Sequence, residues 1–223
     1  MFLRGAAEVG LGQAQAQVLA EGRRDREDTF TAWAPLVLVK EGLWLDLLLD
    51  ADEPSAKAMF QSLLGRHPVS ERELLDFLAE TFNLLCTAIK GPLAEQGSVV
   101  FMPVISRSIR SGALNFRPPE TAPATFHRLT LPDITLDITA LSQPAPVIRK
   151  ALGRLCELDT LAENLPFPGS SEVFLLNQGV VLSRRYIEKL SSLAKNENKA
   201  LRVPVIEPSP LAEFFCLGRI AAG

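Results

Sequence analysis

Six polar residues recur at helical spacing between positions 73 and 90: Glu73, Asp76, Glu80, Asn83, Thr87 and Lys90. At 100° per residue they fall on one narrow stripe, opposite Leu74, Phe77, Leu78, Leu85, Ala88 and Ile89. Asp76, Glu80 and Asn83, spaced i, i+4, i+7, line up along one edge of it. The stripe offers carboxylates, an amide and an ammonium, groups that hydrogen-bond and pair ions. Its plain alternative is the solvated face that any amphipathic helix carries. Asn is a poor helix former, which makes position 83 stand out.

Other chemistries find little support. There is no G-x-S-x-G, P-loop, H-E-x-x-H or HD pair. Gly10 and Gly12 lack the third glycine of a dinucleotide loop, since Gln15 holds its place. The two histidines are His67, before a proline in an apparent turn, and His127, in an expected strand. Cys86, Cys156 and Cys216 are far apart and form no C-x-x-C, so they read as buried reduced thiols.

The chain has 223 residues, 47% apolar and 22% charged, with a formal charge of −3. That is a globular composition, sufficient for one large domain or one domain and a smaller piece. The acidic balance lacks the footprint of a nucleic-acid binder or a polybasic membrane-surface binder. The N-terminus has no apolar signal region, and the greasiest stretch, residues 43–49, is short and interrupted by Asp46. A soluble, cytoplasmic protein is expected.

The stripe must be carried by a helix, and the residues before it say how that helix is held. Apolar runs at 29–39 and 43–49 flank Lys40, Glu41 and Gly42, a hairpin signal with Gly42 available for positive φ. Leu43, Leu45, Leu47 and Leu49 give one wholly apolar face, whereas Trp44, Asp46 and Leu48 make the other mixed. Pro54 suits the first turn of a helix over 55–64, stopped by Gly65. Ser70 and Glu73 fit a capping box opening a helix over about 71–94, ended by Gly97. A strand broken by Pro103 is expected over 98–106, then a loop to 124, then strands at 126–131 and 134–140 around Pro132 and Asp133. Residues 144–164 read as helical in two pieces, and 166–171 as a linker. Beyond lie an expected hairpin over 172–182 turning at residues 177–179, a helix over 184–195, a strand over 201–206 and a last helix after Pro208. Residues 1–28 read as an arm or a weak helix near 13–22. The expected units are 1–28, 29–165 and 172–223, with the seam near 166–171.

Asp76-x-x-x-Glu80-x-x-Asn83, in this setting, resembles the signature of the CheX/CheC/FliY chemotaxis phosphatases: Asp or Ser, three residues, Glu, two residues, Asn on a long exposed helix. The resemblance covers about residues 30–140. It includes the hairpin around a glycine, the Leu63, Leu64, Gly65 helix end and the Pro103, Val104, Ile105, Ser106 run. Cys86, Thr87 and Ala88 stand where the family has a small Ala-Gly pair, and the Asn83 to Pro103 spacing is a few residues short. The resemblance implies an α+β fold, an antiparallel sheet packed by two consecutive helices. It also implies a phosphatase acting on the phospho-aspartate of a response regulator. Asn83 then orients the attacking water, as the glutamine of GTPases does. Glu80 pairs with a regulator lysine, and Asp76 and Thr87 lie at the docking rim. No cofactor is bound by this chain, Mg2+ is expected on the regulator, and a homodimer is admitted. A non-catalytic adaptor on the same fold is the second reading, and enzyme activity stays open between them.

Residues 172–206 faintly resemble the small module that precedes HD-type cyclic dinucleotide phosphodiesterase domains, through residues 174–183, 186–190 and 203–205. That implies a signalling context or a docking element, with a ligand-sensing unit over 166–206 as a third reading. Trp33, Trp44 and the Phe214, Phe215 pair are expected to anchor packing.

Overall fold

The computed structural model describes residues 15–19, 29–110, 123–166, 174–197 and 202–217. In chain order its elements are β1 (Gln15–Leu19), β2 (Thr29–Leu38), β3 (Leu43–Asp52), α1 (Glu53–Leu64) and α2 (Glu71–Glu95). There follow β4 (Val100–Phe101), β5 (Arg107–Arg110), β6 (Ala124–Leu131), β7 (Ile134–Pro144) and β8 (Val147–Ala151). The last are β9 (Thr160–Leu161), β10 (Leu165–Pro166), β11 (Phe174–Leu176), α3 (Arg184–Glu197), β12 (Arg202–Ile206) and α4 (Pro210–Leu217). The fold is the α+β class expected, with seven antiparallel strands in the order β1-β6-β7-β3-β2-β4, and β5 also on β2.

The β2–β3 hairpin sets both layers. Gly42 turns it at φ 64, and the register runs unbroken from Leu38↔Leu43 to Thr29↔Asp52. Alternation sends Ala32, Ala34, Leu36, Leu47, Leu49 and Ala51 to one face, where they bury against Met59 and Phe60 of α1 and Leu78, Phe82 and Leu85 of α2. Trp33 and Leu48 face the other way, beside Leu141 of β7, where Leu211 and Ala212 cover them. The apolar and mixed faces legible in the leucine alternation are therefore both buried.

The helices begin and end as their capping residues dictate. Asp52 caps α1, accepting from the Ser55 N–H at 2.8 Å, and Gly65 closes it in the left-handed region. Ser70 Oγ accepts from the Glu73 N–H, while Glu73 reaches back to the Val69 N–H and pairs with Arg66. At the far end the Gly97 N–H bonds to Ala94 O and the Ser98 N–H to Leu93 O, the two bonds of a Schellman close. Arg110 of β5 ties Glu71 at 2.7 Å and Glu53 at 3.5 Å, so the acidic first turns of α1 and α2 converge on one guanidinium.

The edge beside α2 is broken. Between the partners Val37↔Phe101 and Trp33↔Arg107, β2 has residues 34–36 while the edge has residues 102–106, two more. The Val39 N–H points across this edge to Val99 O. By two-residue alternation Pro35 then lacks its donor on this same side, facing the unpaired stretch 102–106 that contains Pro103. The expected strand over 98–106 is thus reduced to β4. The expected loop over 107–124 holds β5 at its start and the first residue of β6 at its end. Residues 111–122 lie outside those described.

Other expectations are corrected by pairings between distant segments. Residues 15–19 form a strand on β6 rather than part of a weak helix. Residues 144–164, read as helical, form the end of β7, β8, a single 3-10 turn and β9, because β12, some fifty residues on, offers them a strand to pair with. β11 pairs with β10, and Val181 bridges Thr160, so the expected hairpin over 172–182 is not made with itself. Of the expected linker over 166–171, Pro166 ends β10, and the remaining residues lie outside those described. β8 and β9, from within 29–165, share a sheet with β12, from within 172–223.

This smaller layer packs α3 on its own apolar cluster, including Leu161, Leu182, Leu190, Val203 and Val205. Lys150 crosses it, bonding Asp159 at 2.9 Å and Glu207 at 2.8 Å. Burial pushes the Lys150 ammonium down, but its two carboxylates prevail and hold it above the usual lysine value. Among the described residues the layer meets the large sheet through a buried cluster of Val37, Trp44, Ala145, Ala162 and Ile206 and through individual contacts. The Trp44 indole donates to Glu207 O at 2.7 Å, the Ala145 N–H bonds Gly42 O, and Gly179 lies against the Phe101 ring. Gly179 has φ +84, and a Cβ there would come within 2.5 Å of the ring. Gly179→Ala is expected to cost about 2–4 kcal/mol in urea unfolding, through backbone strain plus overpacking. In a Phe101→Ala background the same change should cost only the strain part, about 1 kcal/mol.

Candidate functional site

α2 buries Leu74, Leu78, Thr81, Phe82, Leu85, Cys86 and Ile89, so its sheet-facing side is set by the apolar periodicity with Phe82 and Cys86 added. Phe77 and Ala88 flank that side half-buried, and Phe77 meets Phe60 of α1 edge-on at 4.9 Å. On the other flank the Ser108 hydroxyl of β5 donates to Leu75 O at 2.6 Å. The helix is thereby clamped on both sides and below, and the polar stripe points outward.

The structure brings the four expected site residues onto this uncovered face. Asp76 is exposed, with Arg72 one turn back at 3.9 Å, a screened surface pair. Glu80 is exposed, and its carboxylate has no hydrogen bond or ion pair among the described residues. Thr87 is exposed and donates its hydroxyl to the Asn83 carbonyl at 2.9 Å, so its proton is already engaged.

Asn83 differs from its neighbours. Its backbone lies mid-helix, its side chain is half-buried, and its Oδ1 is enclosed without a hydrogen-bond partner. An enclosed acceptor left unpaired costs about 1–3 kcal/mol. Helical geometry turns Asn83 toward the flank of Ala79 and Cys86, the side that faces the broken edge. Leu84 beside it is 49% exposed, an apolar position that the stripe reading overlooks. Cys86 is sealed, its thiol pushed up to about 12 by burial, which makes it an inert packing residue. The expectation of buried thiols holds for Cys86 but not for Cys156, which is exposed.

The carboxyl-terminal helix does not cover this face. α4 lies across the sheet on the opposite side, where Phe215 stacks on Trp33 at 4.9 Å. The expected anchoring role of Phe215, Trp33 and Trp44 is seen there and in the Trp44 bond to Glu207. Arg184 and Glu188 of α3 form an exposed i, i+4 pair. Among the described residues no three His, Cys, Asp or Glu side chains group as a metal site, and no helix is long and apolar enough to cross a membrane.

No protein-family model and no curated protein matches the chain. Solved structures do. A chemotactic CheC-like protein from Shewanella oneidensis superposes with TM-score 0.53 at 12% identity, over 64% of this chain and 92% of that one. Chemotaxis protein CheX from Vibrio vulnificus gives 0.52 at 14%, over 64% and 93%. CheX from Borrelia burgdorferi, in a complex with CheY, BeF3 and Mg2+, gives 0.51 at 14%, over 64% and 95%. The fold of these CheX- and CheC-like proteins is thus shared, at identities that speak for the fold alone, and about a third of this chain lies outside the match.

The enclosed Asn83 oxygen gives a stability test of the site. Asn83→Ala removes an unpaired acceptor and a weak helix former, so it is expected to stabilise the chain by about 1–2 kcal/mol in urea unfolding.

Proposed function

We propose that this chain accelerates hydrolysis of the phospho-aspartate of a receiver-type response regulator in two-component or chemotaxis-type signalling. The observation that carries the reading is Asn83: an amide kept mid-helix at a cost in stability, its oxygen enclosed and unpartnered, three residues after a free carboxylate on an uncovered face. The likeness of the fold to CheX proteins, one of them in complex with CheY, supports it.

In this reading the regulator brings its own Mg2+ and the acyl phosphate. On docking the Asn83 side chain turns its enclosed oxygen outward, and the amide then accepts from and donates to one water, holding it in line with phosphorus. Water oxygen bonds to phosphorus, the acyl oxygen–phosphorus bond breaks, and the aspartate leaves as carboxylate with inorganic phosphate. Glu80 pairs with a lysine of the regulator and sets the register of docking. Asp76 and Thr87 lie along the rim, where Asp76 adds charge, and Thr87 fixes the carbonyl of the residue that orients the water.

The test is phosphate release from phosphorylated regulators of the same organism, with and without the chain. Acceleration is expected, with Asn83→Ala lowering the rate at saturation by about a hundredfold while docking persists. Glu80→Gln should raise the concentration needed for half-maximal effect. Regulator binding without phosphate release would assign the chain instead to a non-catalytic adaptor.

A further inference from the structure

On the sheet face away from α2, the Asp46 carboxylate is wholly buried and gathers three donors from three elements. The Trp33 indole of β2 donates at 2.8 Å, the Gln143 amide of β7 at 3.2 Å, and the Ser209 hydroxyl at the start of α4 at 3.0 Å. Ser209 also serves the helix itself, since its oxygen accepts from the Ala212 N–H at 3.1 Å and caps α4. The helix is therefore fastened through its own cap to a buried acid, and one turn and a half later Phe215 lies flat on Trp33. The chain before it is held independently. Glu207 is paired with Lys150, and its carbonyl accepts from Trp44. Movement of α4 would pivot at Pro208 without disturbing β12.

We propose that α4 is a proton-linked latch: with Asp46 neutral it stays closed over Trp33, Leu48 and Leu141, and with Asp46 ionised it is released more readily. The physics runs through solvation. Closure seals the carboxyl from water, and opening at Ser209 lets water reach it. Burial raises the closed-state acid to about 6, outweighing the bonds from Trp33 and Ser209 that pull it down. In the open state it returns toward the ordinary carboxylate value. The closed form thus binds the proton more tightly, and closure weakens as pH rises between the two values, levelling off above about pH 6.

Other charged groups share this face. Asp137 is paired with Arg128, and Asp50 accepts from Thr31. Arg107 of β5 acts on Cys216 of α4, whose thiol burial pushes up, away from this range. Glu213 of α4 and Glu207 complete the set, and neither bonds Asp46 among the described residues.

The experiment is amide hydrogen exchange of Ala212–Leu217 in the full chain, each rate divided by its intrinsic chemical rate, from about pH 5 to about pH 7. Protection is expected to fall roughly tenfold across that range in the native sequence. Asp46→Asn, which keeps acceptor and donor in place, should show high protection throughout and no pH dependence. Phe215→Ala should lose protection at every pH yet keep the dependence, which separates the latch from mere packing. A flat native profile, or a native-like slope in Asp46→Asn, overturns the proposal. Should Asp46→Asn fail to fold, the native profile and Phe215→Ala decide it alone.

Discussion

The β2–β3 register is the constraint on which the remaining structure rests. With Gly42 at the turn and ten residues paired on each side, every odd position of β3 faces one layer and every even position the other. A slip of one residue would send Leu47 and Leu49 to the side of α4, and bury Asp46 beneath α1 and α2 without its three donors. Both the candidate site and the proposed latch therefore inherit their positions from one hairpin: α2 with its polar stripe above, α4 with its buried acid below.

The local parts of this design are readable in the amino-acid order. Gly42, Pro54, Gly65, Ser70 and Gly97 each mark a turn or cap that the structure uses, because their signals are backbone chemistry within a few residues. The stripe of Asp76, Glu80, Asn83 and Thr87 is equally legible, since helical spacing alone brings those residues together. What periodicity does not convey is the difference among them. That the Asn83 oxygen is enclosed while Glu80 stands free cannot be read from their spacing.

The misread elements share a cause. β1, β5 and β8 are short, and each takes its form from a partner strand far away in the chain. Residues 147–151, Val-Ile-Arg-Lys-Ala, suit helix or strand about equally in isolation, and β12 decides between them. The role of Asp46 is hidden for the same reason. In the run Leu-Trp-Leu-Asp-Leu it reads as a polar interruption, whereas its donors come from residues 13, 97 and 163 positions away.

The two prolines at the broken edge have a bearing on how the molecule behaves among copies of itself. A long, flat border strand presents a row of open amides and carbonyls that any extended chain can pair with, the first step toward fibres. Here that border is cut into β4, two residues long, and β5, four residues long, with Pro103 and a two-residue excess between them and Pro35 on the neighbouring β2. No stretch of it is long enough to template a stable strand. The kink beside the candidate site therefore also blunts this border against pairing with another chain, so straightening it by deletion would open a longer edge before it altered any chemistry.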